Sequence, residues 1–162
     1  MKIAICPGSF DPITIGHMDL AARAAAIFDK VILCVMVNGE KNPMFSLAER
    51  LELARAATAR LANVEAAACD GLLADFAQSS GACALVKGVR GASDLDWEIQ
   101  MAQINRDLYP KLDTVVLPAR PEHLHVSSTL VREMLRYDRP AAPYIPPETE
   151  ELLRRIRQGK VR

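Results

Sequence analysis

Three stretches of this sequence and one isolated lysine have residue types suited to holding phosphate. The first stretch is Pro7-Gly8-Ser9-Phe10-Asp11-Pro12-Ile13-Thr14-Ile15-Gly16-His17. A helix opening near Gly16 would offer free backbone N–H groups and the positive end of its dipole to an anion. Gly16 would allow close approach of a ligand to the backbone. His17 would turn a ring N–H toward the same anion, and Ser9 adds a hydroxyl at the other end of the loop. A glycine turn followed by a surface histidine is the plainer reading of these residues.

The second stretch, Lys87-Gly88-Val89-Arg90-Gly91, sets two cations around a glycine. It suits polyphosphate, or more plainly two solvated charges. The third, His125-Val126-Ser127-Ser128-Thr129, puts three hydroxyls where a helix begins. They suit capping, phosphate binding or both, and Arg132 is near. Lys41 stands in a polar loop, Asn38-Gly39-Glu40-Lys41-Asn42-Pro43, where it reads equally as a solvated side chain. His123 and His125 form an H-x-H pair, but no third ligand accompanies them, so zinc is not expected. Trp97 reads as a packing residue. Glu98 beside it faces solvent or a cleft, and periodicity leaves the two open.

Behind these residues stands an alternation of strands and helices. Strands are expected at Lys2–Cys6, ended by Pro7-Gly8, at Val31–Val37, Val64–Ala68, Ala84–Lys87 and Thr114–Leu117. The unbroken apolar run at 31–37 suits a strand buried on both faces of a parallel sheet. Helices are expected at Gly16–Phe28, with Leu20, Ala24 and Ile27 on one stripe, and from the Ser46-x-x-Glu49 capping box to about Leu61. Others are expected at Leu72–Ser80, ended by Gly81, from a cap at Ser93 to Leu108, from Ser127 or Ser128 to about Tyr137, and over Glu148–Arg157. Arg139–Pro147 reads as a proline-rich loop. The pattern predicts an α/β fold, a Rossmann-like, doubly wound, five-stranded parallel sheet with helices on both faces. One domain is expected over residues 1–162, with the helical segment from about 127 onward part of it. Ligands of such sheets bind beyond the carboxyl ends of the strands. The four phosphate-suited loops all fall there, and that convergence predicts a phosphate or nucleotide site.

Other classes are disfavoured. No G-x-G-x-x-G follows the first strand and no Walker A sequence occurs, which argues against a hydride-transfer enzyme and a P-loop NTPase. The 20 basic and 20 acidic residues balance, so nucleic acid is not an expected partner. No segment approaches the roughly 18 apolar residues of a membrane span, and the N-terminal apolar run is too short for a signal peptide. Cys6, Cys34, Cys69 and Cys83 are far apart in sequence and read as buried thiols of a reducing cytoplasm.

With these residues in view, the chain resembles the bacterial phosphopantetheine adenylyltransferases over nearly its whole length. The elements that carry the resemblance are PGSFDPITIGH at 7–17, Lys41, KGVRG at 87–91, DLDWEIQMAQINR at 94–106 and VSSTLVRE at 126–133. The T-x-G-H element alone would indicate only the wider nucleotidyltransferase superfamily. The resemblance implies that ATP and 4′-phosphopantetheine, with Mg²⁺, give 3′-dephospho-coenzyme A and pyrophosphate in coenzyme A biosynthesis. It implies ATP contacts for Ser9, Phe10, His17, Gly88, Val89, Arg90, Glu98 and the stretch His123, Leu124, His125, Val126, Ser127, Ser128, Thr129. It implies acceptor contacts for Ser9, Lys41, Leu73 and Lys87, with His17, Lys41 and Arg90 closest to the chemistry. It also implies a homohexamer and feedback binding of coenzyme A. Three departures stand out: Ser9 replaces a common threonine, Lys87 replaces an arginine found in some relatives, and Tyr137–Pro143 (YDRPAAP) lacks the Gly-Gly-Asp that many relatives carry before the final helix. The alternatives are another small-molecule nucleotidyltransferase and a nucleotide-binding module without catalysis.

Overall fold

Along the first strand, Ala4 and Cys6 enter one buried layer and Ile5 the other, the period-two alternation of a strand covered on both sides. The computed structural model describes residues 1–37 and 42–160. Among them the chain forms five strands, β1 (Ile3–Gly8), β2 (Lys30–Met36), β3 (Val64–Cys69), β4 (Ala84–Val89) and β5 (Asp113–Pro118). All are parallel, in the order β3-β2-β1-β4-β5. The doubly wound, Rossmann-like sheet expected from the sequence is what forms.

The helices are α1 (Ile15–Ala25), α2 (Leu47–Thr58), α3 (Leu73–Ser80), α4 (Ala92–Leu108), α5 (Ser128–Arg136) and α6 (Glu150–Lys160). The larger core layer packs Ala21 and Ala24 of α1, Leu53 of α2, Val131 and Leu135 of α5 and Leu153 of α6 against the sheet. The smaller one packs Ala77 of α3 with Ala82 and Leu112 on the other face. Truncating a buried leucine such as Leu53 would cost about 2–5 kcal/mol.

Local signals explain several boundaries. Ser46 accepts from Glu49 N–H while the Glu49 carboxylate accepts from Ser46 N–H at 2.7 Å, which fixes the start of α2. Gly81 ends α3 with φ 68°, in the left-handed region that favours glycine. Ser127, rather than Ser128, caps α5 by accepting from Leu130 N–H at 3.1 Å.

Other expectations are corrected. β1 runs on through Pro7 and Gly8, which pair with Cys34 and Val35 of β2. The proline is tolerated because β4 pairs with β1 only at Ala4 and Ile5, so Pro7 has no neighbour on that side. β4 likewise continues through Gly88 to Val89. Ile27 lies beyond the cap of α1 at Ala26 and is 56% exposed, off the predicted stripe. α4 is capped by Gly91 without a side-chain bond, and Ser93 sits inside it. The proline-rich stretch holds 3-10 turns at Ala142–Tyr144 and Pro147–Thr149, and α6 starts only at Glu150.

Candidate active site

Beyond the carboxyl ends of β1, β4 and β5 lies a cleft of about 520 Å³. It opens where the strand order reverses, between β1 and β4, the position at which such sheets bind ligands. Three helices follow these strands, so α1, α4 and α5 all begin at its rim.

His17 is placed by a capping box at the start of α1. Thr14 Oγ1 accepts from the His17 N–H at 3.4 Å, and His17 Nδ1 accepts from the Thr14 N–H at 3.0 Å. Since Nδ1 is an acceptor, the ring is neutral with its proton on Nε2. Burial and the nearby Arg90 charge push the pKa of His17 down to about 4, which agrees with that tautomer. The ring is further held by the edge of Phe10, with centroids 5.0 Å apart and planes at 83°. The outcome is a fixed, uncharged N–H donor in a cleft at a helix N-terminus, suited to an anionic oxygen.

The cations of the cleft are matched by its own carboxylates. Lys87 Nζ is 3.0 Å from Glu98. Arg90 approaches Asp94 at 3.5 Å while its backbone N–H donates to the same carboxylate at 3.0 Å. Asp19 is shared: one oxygen is 3.2 Å from Arg23 and the other 3.0 Å from Arg120. Arg23 also donates to the Pro118 carbonyl at 2.8 Å, tying α1 to the end of β5. Of these pairs only Arg90–Asp94 is half-exposed on both sides, and such a pair holds weakly, about 0–1 kcal/mol. An entering polyphosphate can therefore take Arg90 over from Asp94.

The hydroxyl stretch at the start of α5 divides its work. Ser127 caps the helix, Ser128 Oγ donates to the Pro12 carbonyl at 2.7 Å, and Thr129 accepts from Arg132 at 3.1 Å. Arg132 in turn donates to the Asp11 carbonyl at 2.8 Å. The first loop and the third are thus locked to each other. His123 lines the cleft with its Nδ1 buried and without a hydrogen-bond partner.

Of the residues singled out in the sequence, His17, Lys87, Gly88, Arg90, Glu98, His123, Val126, Ser127, Ser128 and Thr129 line one cleft. Glu98 faces it, which resolves the alternative left open. Phe10 is buried behind His17 rather than in the lining. Ser9 is exposed, with its carbonyl taken by Arg50 at 2.6 Å. Val89 ends β4, Leu124 is exposed, and His125 forms a T-shaped ring pair with Tyr144. Leu73 opens α3 and packs on the smaller core layer, away from the cleft. Lys41 lies outside the described residues.

The structure adds residues that the sequence reading passed over. Trp97, expected to serve in packing, is 60% exposed and lines the cleft. Asp19, Arg23 and Arg120 line it too. For Asp19 and Arg23 a signal existed, an acid and a base at i,i+4 on the helix that His17 opens.

A family profile described as cytidylyltransferase-like matches residues 5–134. Phosphopantetheine adenylyltransferase of Symbiobacterium thermophilum is 46% identical over 151 residues, covering 93% of each chain. That of Chloroflexus aurantiacus is 48% identical over 154 residues, covering 95% of this chain and 96% of its own. A solved structure from Vibrio parahaemolyticus, provisionally assigned as a nicotinate-nucleotide adenylyltransferase, superposes with a TM-score of 0.70. It is 22% identical and covers 94% of this chain and 92% of its own, a likeness of fold.

Proposed function

The chain belongs to the phosphopantetheine adenylyltransferases, and from that premise we propose that its cleft moves the adenylyl group of ATP onto 4′-phosphopantetheine. The products are 3′-dephospho-coenzyme A and pyrophosphate, a step of coenzyme A biosynthesis. The observation that carries the reading is the neutral, Nε2-protonated His17, fixed by Thr14 at the opening of α1.

The nucleophile is a phosphate monoester whose second pKa is about 6, so it is largely a dianion at neutral pH. It needs no general base. A phosphate oxygen attacks the α-phosphorus of ATP, a new P–O bond forms, and the bond to the β-phosphate oxygen breaks as pyrophosphate leaves. The work is to bring two anions together and to stabilise the charge on the α-phosphate. In this reading Nε2–H of His17 donates to an α-phosphate oxygen. Arg90 and the free N–H groups opening α5 hold the departing pyrophosphate. Gly88 to Arg90, Glu98 and the stretch from His123 to Thr129, with Ser9 and Phe10, surround the nucleotide. Ser9, Lys41 and Lys87 hold the acceptor phosphate, with Leu73 toward the far end of its arm.

Mg²⁺ is read as part of the substrate, bound to the oxygens of ATP. Among the described residues no three His, Cys, Asp or Glu side chains cluster to hold a metal, and each cleft carboxylate already faces a cation. A homohexamer is supported by the apolar side chains that α4 exposes, Leu95 and Ile99 on one side and Ile104 and Leu108 on the opposite one. Coenzyme A, a relative of the product, is a natural feedback ligand for the same cleft. A cytoplasmic setting suits the four unpaired thiols, of which Cys6, Cys34 and Cys69 are buried as expected and Cys83 is exposed instead. No helix among the described residues is long and apolar enough to cross a membrane. α6, whose Leu153 enters the core, is read as part of the same domain.

The test is pyrophosphate release from Mg-ATP with 4′-phosphopantetheine, with nicotinamide mononucleotide as control acceptor. Release with phosphopantetheine alone is expected. A folded, ATP-binding protein that releases none with any acceptor would sink the reading.

A further inference from the structure

Arg50, in the first turn of α2, is 4% exposed. Among the described residues no carboxylate forms an ion pair with it. Its guanidinium instead donates to three backbone carbonyls: Ser9 at 2.6 Å, Met36 at 3.0 Å and Phe45 at 3.2 Å. Asp11, the one buried carboxylate among the described residues, is engaged elsewhere. It accepts from the N–H groups of Met44 and Phe45, both at 2.9 Å, and faces Arg132 at 3.7 Å.

A buried cation without a counter-ion is costly. Three carbonyl dipoles satisfy its hydrogen bonds but leave a full positive charge beneath the surface. A purely structural tether of this kind needs no charge. The three carbonyls also share a location. Ser9 follows β1, Met36 ends β2, and Phe45 precedes α2. They are the exits from which the first loop and the loop after β2 set out.

We propose that Arg50 is a positioning residue for the acceptor: it holds the exits of β1 and β2 in one frame and lends its unmatched charge to the binding of a phosphate-bearing substrate there. The inference rests on the phosphopantetheine reading above, which places the acceptor phosphate near Ser9. The nucleotide side of the cleft is built from β4, β5 and the starts of α1 and α5, whereas the hydrogen bonds of Arg50 go to the first loop, the end of β2 and the residue before α2.

The test is a comparison of steady-state KM values for the two substrates in the wild type, Arg50→Lys and Arg50→Gln, with thermal midpoints. Lysine keeps the charge and loses the planar fork; glutamine keeps a donor and loses the charge. Both variants should raise KM for 4′-phosphopantetheine about tenfold or more, glutamine further than lysine, with KM for ATP within about twofold of wild type; tenfold corresponds to about 1.4 kcal/mol. KM values rising together, or neither rising, would overturn the proposal. If the variants do not fold, hydrogen exchange on the wild type decides. Saturating phosphopantetheine should protect residues 8–10, 36–37 and 44–46 together, whereas a non-hydrolysable ATP analogue should not. Absence of that joint protection overturns the role of Arg50. Wild-type turnover is read first: without it the functional reading and this proposal fall together, and with it a missing KM split removes Arg50 alone.

Discussion

Thr14 donates its backbone N–H to Nδ1 of His17 at 3.0 Å, and that bond decides which ring nitrogen carries the proton. Histidine here takes the place that glutamate holds in the usual capping box. The same contact starts a helix and prepares a donor. Replacing His17 with alanine should lower kcat by about a hundredfold or more, since loss of one donor to a developing oxyanion costs about 10²–10³. Circular dichroism should show the fold retained. Near-normal turnover in this variant would remove His17 from the chemistry.

Thr14→Val separates the two functions of the box. It deletes the hydroxyl that caps α1 but keeps the backbone N–H that fixes the ring. Stability should fall by about 1 kcal/mol, while kcat stays within about tenfold of wild type. A loss of turnover as deep as that of His17→Ala would mean that the hydroxyl, not the backbone, orients the ring.

The proton balance of His17 gives a pH prediction. Burial first, and Arg90 second, lower its pKa from the ordinary 6.5 to about 4. The folded chain therefore binds this proton more weakly than the unfolded chain. Its contribution to stability is complete above about pH 6.5, declines as pH falls, and is lost by about pH 4. The ring resonances of His17 should titrate with a midpoint below about 5, and a midpoint near 6.5 would contradict the tautomer assignment. Any acid limb of kcat/KM near pH 6 should come from the acceptor phosphate, about where its second pKa lies. The limb should then persist in His17→Gln at a lower rate.

Gly8 links the first strand to this ring. A Cβ at residue 8 would stand 2.9 Å from Cζ of Phe10, and Phe10 is the edge that packs on His17. Gly8→Ala must push the buried phenyl ring. Overpacking of this kind costs about 1–3 kcal/mol, and kcat should drop more than tenfold for a variant that remains folded. Unchanged kcat would show that Phe10 does not set the position of His17.

Lys87 and Glu98 form a 3.0 Å pair within the cleft. Lys87→Ala should raise KM for phosphopantetheine about tenfold or more, since a charge-assisted hydrogen bond is worth about 1.5–3 kcal/mol. Lys87→Arg should restore most of the affinity, since it keeps the positive charge. An unchanged KM in Lys87→Ala would move the acceptor phosphate away from this residue.

The sheet and most of the cleft were legible because their signals are local. The apolar run at 31–37 reads directly as a buried strand, Ser46 with Glu49 as a helix start, and Gly81 as a helix stop. What escaped depends on distant partners. Arg50 drew no attention in the sequence, because the carbonyls it binds, at residues 9 and 36, converge on it only in the fold. Trp97 reads as a packing residue because its ring is large and apolar, whereas the fold leaves it 60% exposed in the cleft lining. Pro7 reads as a strand terminator unless it is known that β4 has already departed. Arg120 lies in a loop whose path only the fold determines.

That departure has a further consequence. β1 and β4 zip together for two residues and then separate, and Pro7 on one side and Gly88 on the other line the gap. The protein makes room for its substrates by withholding hydrogen bonds rather than by hollowing a finished core. Proline acts there as a stop on the zipper, because it cannot supply the next donor. A residue able to extend the ladder at position 7 would tend to close the space in which two phosphates have to meet.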